Sequence, residues 1–142
     1  DATSADVRQL LPPPSGSSSG MSPAPTTDPA EVRGLASMQR RLILHAMRFP
    51  ALRALVYSTC SVYDEENEHV VRSVLAAQSR FVLEPALPWW PRRGRTLPAA
   101  EPAAGPSPEA EVARCCVRAA PHEDRTIGFF VARFVRHAPA AH

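Results

Sequence analysis

Thirteen of the sixteen prolines in this 142-residue chain fall in two stretches, 12–29 and 85–108. Proline fixes φ and carries no amide hydrogen, so neither stretch can be the interior of a helix or of a central strand. The fold has to be assembled from what lies outside them. The length permits one domain. The apolar fraction of 44% overstates the core, because 23 of those residues are alanine. Roughly 39 larger apolar residues remain, enough for one small core and not for two. All 16 basic residues are arginine and none is lysine, which reads as a GC-rich gene and not as a nucleic-acid adaptation. A net charge of +2 is too mild to dictate a partner. No apolar run approaches the ~18 residues of a membrane span. A chain opening at Asp1 without methionine or a signal-like run reads as a processed product or a piece of a longer protein. Cys60, Cys115 and Cys116 make an odd count without a C-x-x-C pair. Neither a disulfide framework nor a zinc site is expected, and a reducing intracellular compartment is.

Outside the proline stretches the periodicity is clear. Val7–Leu11 reads as a short strand. Glu31–Arg48 carries Val32, Leu35, Met38, Leu42, Ile43 and Ala46 at helical spacing, with Asp28 as N-cap, Pro29 as first helical residue, and Phe49-Pro50 as the stop. Leu52–Ser58 is β-rich and suits a buried strand. Asp64 is placed to cap a second helix with an acidic first turn of Glu65, Glu66 and Glu68, and a core stripe of Val70, Val71, Val74 and Leu75. Phe81–Leu83 is extended. Two closing strands, Val112–Arg118 and Ile127–Val135, flank a PHEDRT hairpin loop. Strand, helix, strand, helix and a late strand pair predict an α/β sheet, parallel at first with an antiparallel strand at its end. The order resembles the second half of a doubly wound domain.

Cys60 falls just past the C-terminal end of a parallel strand and before a helix, the edge where such sheets bind ligands and gather catalytic groups. A helix N-terminus favours a thiolate, while Glu65 and Glu66 oppose one. By position alone an inert buried cysteine is the favoured reading. Two cysteine chemistries fail on paper. A tyrosine-phosphatase loop needs arginine six residues on, where Glu66 stands. A thiol protease needs an oriented histidine, and His45 and His69 lie on helices with nothing to orient them.

The run LVYSTCSVYDEENEHVV (Leu55–Val71) resembles the signature of the Nop/Sun family of RNA cytosine-5 methyltransferases. The helix with Gln39 and LILHA resembles the family helix before this strand, and TIGFFVARF its last strand. MRFPALRALVYSTCS, without a Gly-Gly before the strand, is most similar to the branch acting on cytoplasmic large-subunit ribosomal RNA. The resemblance implies the C-terminal half of a Rossmann-like class I S-adenosylmethionine-dependent methyltransferase domain. That half would occupy residues 1–136, with loops at 12–29 and 85–108 and a tail at 137–142. It implies that Cys60 attacks carbon 6 of the target cytosine, so that carbon 5 takes a methyl group from S-adenosylmethionine. It also implies an RNA partner, rRNA by its branch, a flipped or single-stranded base, and nuclear or nucleolar residence; from the residues themselves neither metal nor membrane is expected.

Two departures from the family pattern stand out. Val7–Met21 (VRQLLPPPSGSSSGM) aligns with the second family motif, Asp-Pro-x-Cys-Ser-Gly. Pro13 stands where an aspartate contacts the base, and Gly16 where a cysteine helps release product. Proline can neither hydrogen-bond the base nor act as acid or base. The glycine-rich loop and acidic residues that hold S-adenosylmethionine are also missing, so the cofactor site is expected in a preceding half and this chain alone is expected to be inactive. A non-catalytic RNA-binding or ribosome-assembly relative is therefore the second reading. Trp89 and Trp90 with Arg92, Arg93 and Arg95 suit either stacking on RNA or a partly packed linker. The run EENE is either a solvated helix start or a group that orients the site. Cys115 and Cys116 alternate across a strand, one of them in the core, and His122-Glu123-Asp124 reads as a polar hairpin tip.

Overall fold

The computed structural model describes residues 28–96 and 107–137. The strand expected at Val7–Leu11, and Pro13 and Gly16 with it, lie outside them. Helix α1 spans Pro29–Ala46, strand β1 Ala54–Thr59, helix α2 Glu68–Ala77, strand β2 Phe81–Glu84, helix α3 Pro108–Cys115, strand β3 Val117–Ala119 and strand β4 Phe129–Arg136.

The start of α1 is as expected: the Asp28 carboxylate accepts from the Ala30 amide at 2.8 Å, and Pro29 needs no partner for the hydrogen it lacks. Its buried face runs through Val32, Ile43 and Met47, whereas Leu35, Met38 and Leu42 form a second apolar stripe that stays exposed.

The last strand is the centre of the sheet. β1 pairs antiparallel with β4 along one edge, Leu55 opposite Phe134 and Thr59 opposite Phe130. Both β2 and β3 pair antiparallel with the other edge, β2 along residues 133–136 and β3 along 129–131. β1 and β2 therefore run in the same direction, as expected, with β4 inserted between them, and no parallel ladder forms among the described residues. Period-two alternation sends Phe130, Ala132 and Phe134 to one face, where they meet Ile43, Met47, Val70, Val71, Val74 and Val112 of the helices. Each buried phenylalanine there contributes about 1.5–3 kcal/mol of transfer free energy.

Three expectations need correction. Val112–Cys115 is the end of α3, so the first closing strand is only Val117–Ala119. Ser107 accepts from the Ala110 amide, Pro108 occupies the first turn, and Glu109 and Glu111 lie at the positive end of the dipole. Those helix-start signals outweigh the β-propensity of one valine and two cysteines. Consequently Cys115 and Cys116 do not alternate across a strand; both are fully buried, at the end and the C-cap of α3. Asp64 is not the N-cap of α2 either. Its backbone carbonyl accepts from the Asn67 and His69 amides in a turn that precedes the helix, and its carboxylate is spent on arginines. No described helix is long and apolar enough to cross a membrane.

Candidate active site

β1 delivers Cys60 to the end of the sheet where β4 begins and β3 ends, since Phe130 has Thr59 on one side and Arg118 on the other. The thiol is exposed. Its two neighbours are held by side chains from the loop that follows. Thr59 Oγ1 donates to Asn67 Oδ1 at 2.5 Å and accepts from the Ser61 amide at 3.2 Å. Ser61 Oγ donates to Glu66 Oε1 at 2.8 Å and accepts from the Tyr63 amide at 3.2 Å. Asn67 Nδ2 donates to the Ser61 carbonyl at 2.9 Å. Glu66 is anchored in turn: Gln39 Nε2 of α1 donates to its Oε2 at 2.7 Å, and the Tyr57 hydroxyl of β1 donates to its carbonyl at 2.6 Å. Burial, and then the Glu66 charge, pushes the Tyr57 hydroxyl far above its usual range, so it remains a donor.

Of the two readings of EENE, a wholly solvated helix start does not fit the burial. Only Glu65 is exposed; Glu66, Asn67 and Glu68 are buried. The stripe of Val70, Val71 and Val74 continues one turn back through Asn67, the signal that could have found it. Asn67 occupies the N-cap position without capping, because its carboxamide is committed to Thr59 and Ser61.

Glu68 has a different task. Arg118 Nε and Nη2 reach its two carboxylate oxygens at 2.7 and 2.5 Å, and Nη2 also reaches Asp64 at 2.8 Å. Burial works against the Arg118 charge, but the bonds to Glu68 and the charges of Glu68 and Asp64 more than offset it and hold its pKa above the ordinary value. The guanidinium also lies over the Phe130 ring at 5.7 Å. This buried pair fastens the segment after Cys60 to β3.

Beside the Cys60 loop lies a cleft of ≈ 220 Å³ lined by Ser61, Val62, Arg92, Arg95, Arg118 and Phe129 among others. Of the residues singled out for RNA contact, Arg92, Arg93 and Arg95 line it, Trp89 is 77% exposed, and Trp90, Arg92 and Arg93 spend their donors internally. Arg93 donates to the carbonyls of Ala86, Leu87 and Trp90. Arg92 pairs with Asp124, which also accepts from the Ala120 amide; these bonds hold the Asp124 carboxyl below its ordinary value. Trp90 Nε1 donates to the Arg118 carbonyl at 2.9 Å. Arg95 is bonded to Asp64, yet its side chain remains 59% exposed. His122-Glu123-Asp124 forms the β3–β4 hairpin tip. No group of three or more His, Cys, Asp or Glu among the described residues could hold a metal ion.

A last strand inserted antiparallel between two like-running strands, helices over one face and a thiol just beyond the strand end define the C-terminal half of a class I methyltransferase-type α/β domain. Residues 24–135 match the family model described as 16S rRNA methyltransferase RsmB/F. The chain belongs to that family. It is 40% identical over 145 residues to the 28S rRNA (cytosine-C(5))-methyltransferase of Mus musculus, a match covering 96% of this chain and 28% of the mouse protein. It is 37% identical over 110 residues to the 25S rRNA (cytosine-C(5))-methyltransferase rcm1 of Schizosaccharomyces pombe, covering 75% of this chain and 22% of that protein. A methyltransferase homologue from Pyrococcus horikoshii shares the fold, with a TM-score of 0.60 and 24% identity over 78% of this chain and 33% of its own. The chain thus spans less than a third of the two relatives' length.

Proposed function

We propose that this chain is the C-terminal part, residues 1–136, of an RNA cytosine-5 methyltransferase domain in which Cys60 is the nucleophile. The observation that carries the reading is the exposed Cys60 thiol at the end of β1, with the residues on both its sides held from one buried turn. As thiolate, Cys60 Sγ adds to carbon 6 of a cytosine, and the electron pair of the 5,6 double bond moves to carbon 5, which becomes nucleophilic. The target base has to be unstacked to present carbon 6.

The methyl donor of the family is S-adenosylmethionine. The described residues do not form its cradle. Gly34 lies inside α1, Gly94 packs on Cys116, and Gly128 sits in the hairpin, so none closes a strand and opens a helix. The cofactor site belongs to sequence outside them.

The names of the mouse and yeast relatives favour large-subunit rRNA as substrate, and with it action in the nucleolus. Arg95 is the RNA contact best placed beside the Cys60 loop, while Arg92, Arg93 and Trp90 shape the segment that presents it. The second reading, an RNA-binding or ribosome-assembly relative without turnover, is favoured by Pro13 and Gly16 in the second motif.

Covalent trapping tests both. The full-length protein is expected to form a denaturation-resistant complex with RNA carrying 5-azacytosine, and Cys60→Ser to abolish it. Trapping by Cys60→Ser at the wild-type level would sink the role of Cys60. Salt-dependent RNA binding with neither adduct nor methyl transfer would establish the second reading.

A further inference from the structure

Cys60 is exposed, yet its two neighbours are held: among the described residues the bonds that shape residues 59–61 run to the residues on either side of the cysteine and none to its sulfur. Three of the four converge on Glu66 and Asn67, which are 7% and 0% exposed. Burying a carboxylate is costly unless it is paired, and Glu66 has no cation among the described residues. Arg118 goes to Glu68 instead, and Glu66 relies on the Ser61 hydroxyl and the Gln39 amide. A carboxylate accepts only, so it dictates direction: Ser61 must donate to it and receive the Tyr63 amide. Asn67 both accepts from Thr59 and donates to the Ser61 carbonyl, so it grips both flanks of the cysteine with one planar group. Gln39 links this turn to α1, and its Oε1 is buried without a partner among the described residues.

We infer that Glu66 and Asn67, with Gln39 behind them, are positioning residues that fix where the Cys60 sulfur sits as it meets carbon 6. The inference rests on the reading of Cys60 as nucleophile. It concerns geometry and not charge, and that distinction makes it testable. In Glu66→Gln the new carboxamide can still accept from Ser61 through its oxygen, and its nitrogen can donate to Gln39 Oε1 once the Gln39 amide turns over. Glu66→Ala loses both bonds.

The experiment measures the rate of adduct formation with 5-azacytosine RNA at saturating RNA in the full-length protein, with RNA affinity measured separately. Glu66→Ala and Asn67→Ala are expected to slow adduct formation about 100-fold, the loss typical of a reacting group misplaced by an ångström, at an RNA affinity within about threefold of wild type. Glu66→Gln is expected to stay within about threefold of the wild-type rate, with an unchanged pH profile. Ser61→Ala removes the two bonds of one hydroxyl and leaves Glu66 held by Gln39; its intermediate loss keeps the test open should Glu66→Ala fail to fold. Wild-type rates in Asn67→Ala and Ser61→Ala overturn the inference. So does a Glu66→Gln variant as slow as Glu66→Ala, which would assign the effect to charge. A wild-type protein that forms no adduct, or a Cys60→Ser variant that does, overturns the nucleophile reading and the inference with it.

Discussion

At the scale of single residues, the polar side chains near Cys60 divide into two sets that do not exchange partners. Glu66 and Asn67 hold the cysteine's neighbours, and Glu68 with Arg118 holds the segment to β3. The second set has a thermodynamic signature. Arg118→Met would leave Glu68, fully buried, facing a hydrocarbon chain, and is expected to cost ~3–5 kcal/mol. Arg118→Met with Glu68→Leu removes both charges and should recover most of that loss, read as the shift in urea midpoint of each variant. A double variant no more stable than the single one would show that the pair is not a unit. Cys60 was legible from its motif, but its supports were not. Glu66 and Asn67 are residue types ordinarily left in water, and only their place on the backward extension of the valine stripe marks them as inward-facing.

At the scale of elements, α1, β1 and β4 were legible because cap, period and β-branched content agree in each. α3 was not. Pro108 reads as the end of a proline-rich loop until Ser107 before it and Glu109 after it are taken together as a helix start. The register that places β4 between β1 and β2 depends on pairings about 50–80 residues apart, which no local pattern encodes. The β3–β4 hairpin holds two positive-φ residues, Arg125 at +52° and Gly128. Gly128 has φ +88°, and a Cβ there would lie 3.3 Å from Pro121 Cγ. Gly128→Ala is therefore expected to destabilise the protein by about 1–2 kcal/mol, measured as a lowered thermal midpoint. An unchanged midpoint would mean that the turn relaxes freely.

At the scale of the whole molecule, the helices cover one face of the sheet, and the other shows Val56, Val82 and Phe129 to solvent, with Leu35, Met38 and Leu42 exposed on α1. The covered side sets how the protein responds to alkali. Tyr57 and Cys116 are both raised from ordinary values of 10.0 and 9.0, chiefly by burial. In the unfolded chain each ionises near its ordinary value, while in the fold each stays neutral. Their contribution is therefore complete below pH 9 and declines as pH rises past 9 and then 10. Thermal midpoints from pH 7 to 11 should fall on the alkaline side, and Cys116→Ala combined with Tyr57→Phe should flatten that fall relative to wild type. An equally steep decline in the double variant would locate the alkaline sensitivity elsewhere. The position of β4 has a consequence in time. Every other described strand pairs with it, yet it is made after all of them. During synthesis β1 and β2 must wait, edges open, for residues 129–136 to leave the ribosome. Cys60 is thus translated about 70 residues before the strand that pairs with β1, so the loop around it is not shaped until β4 has been made.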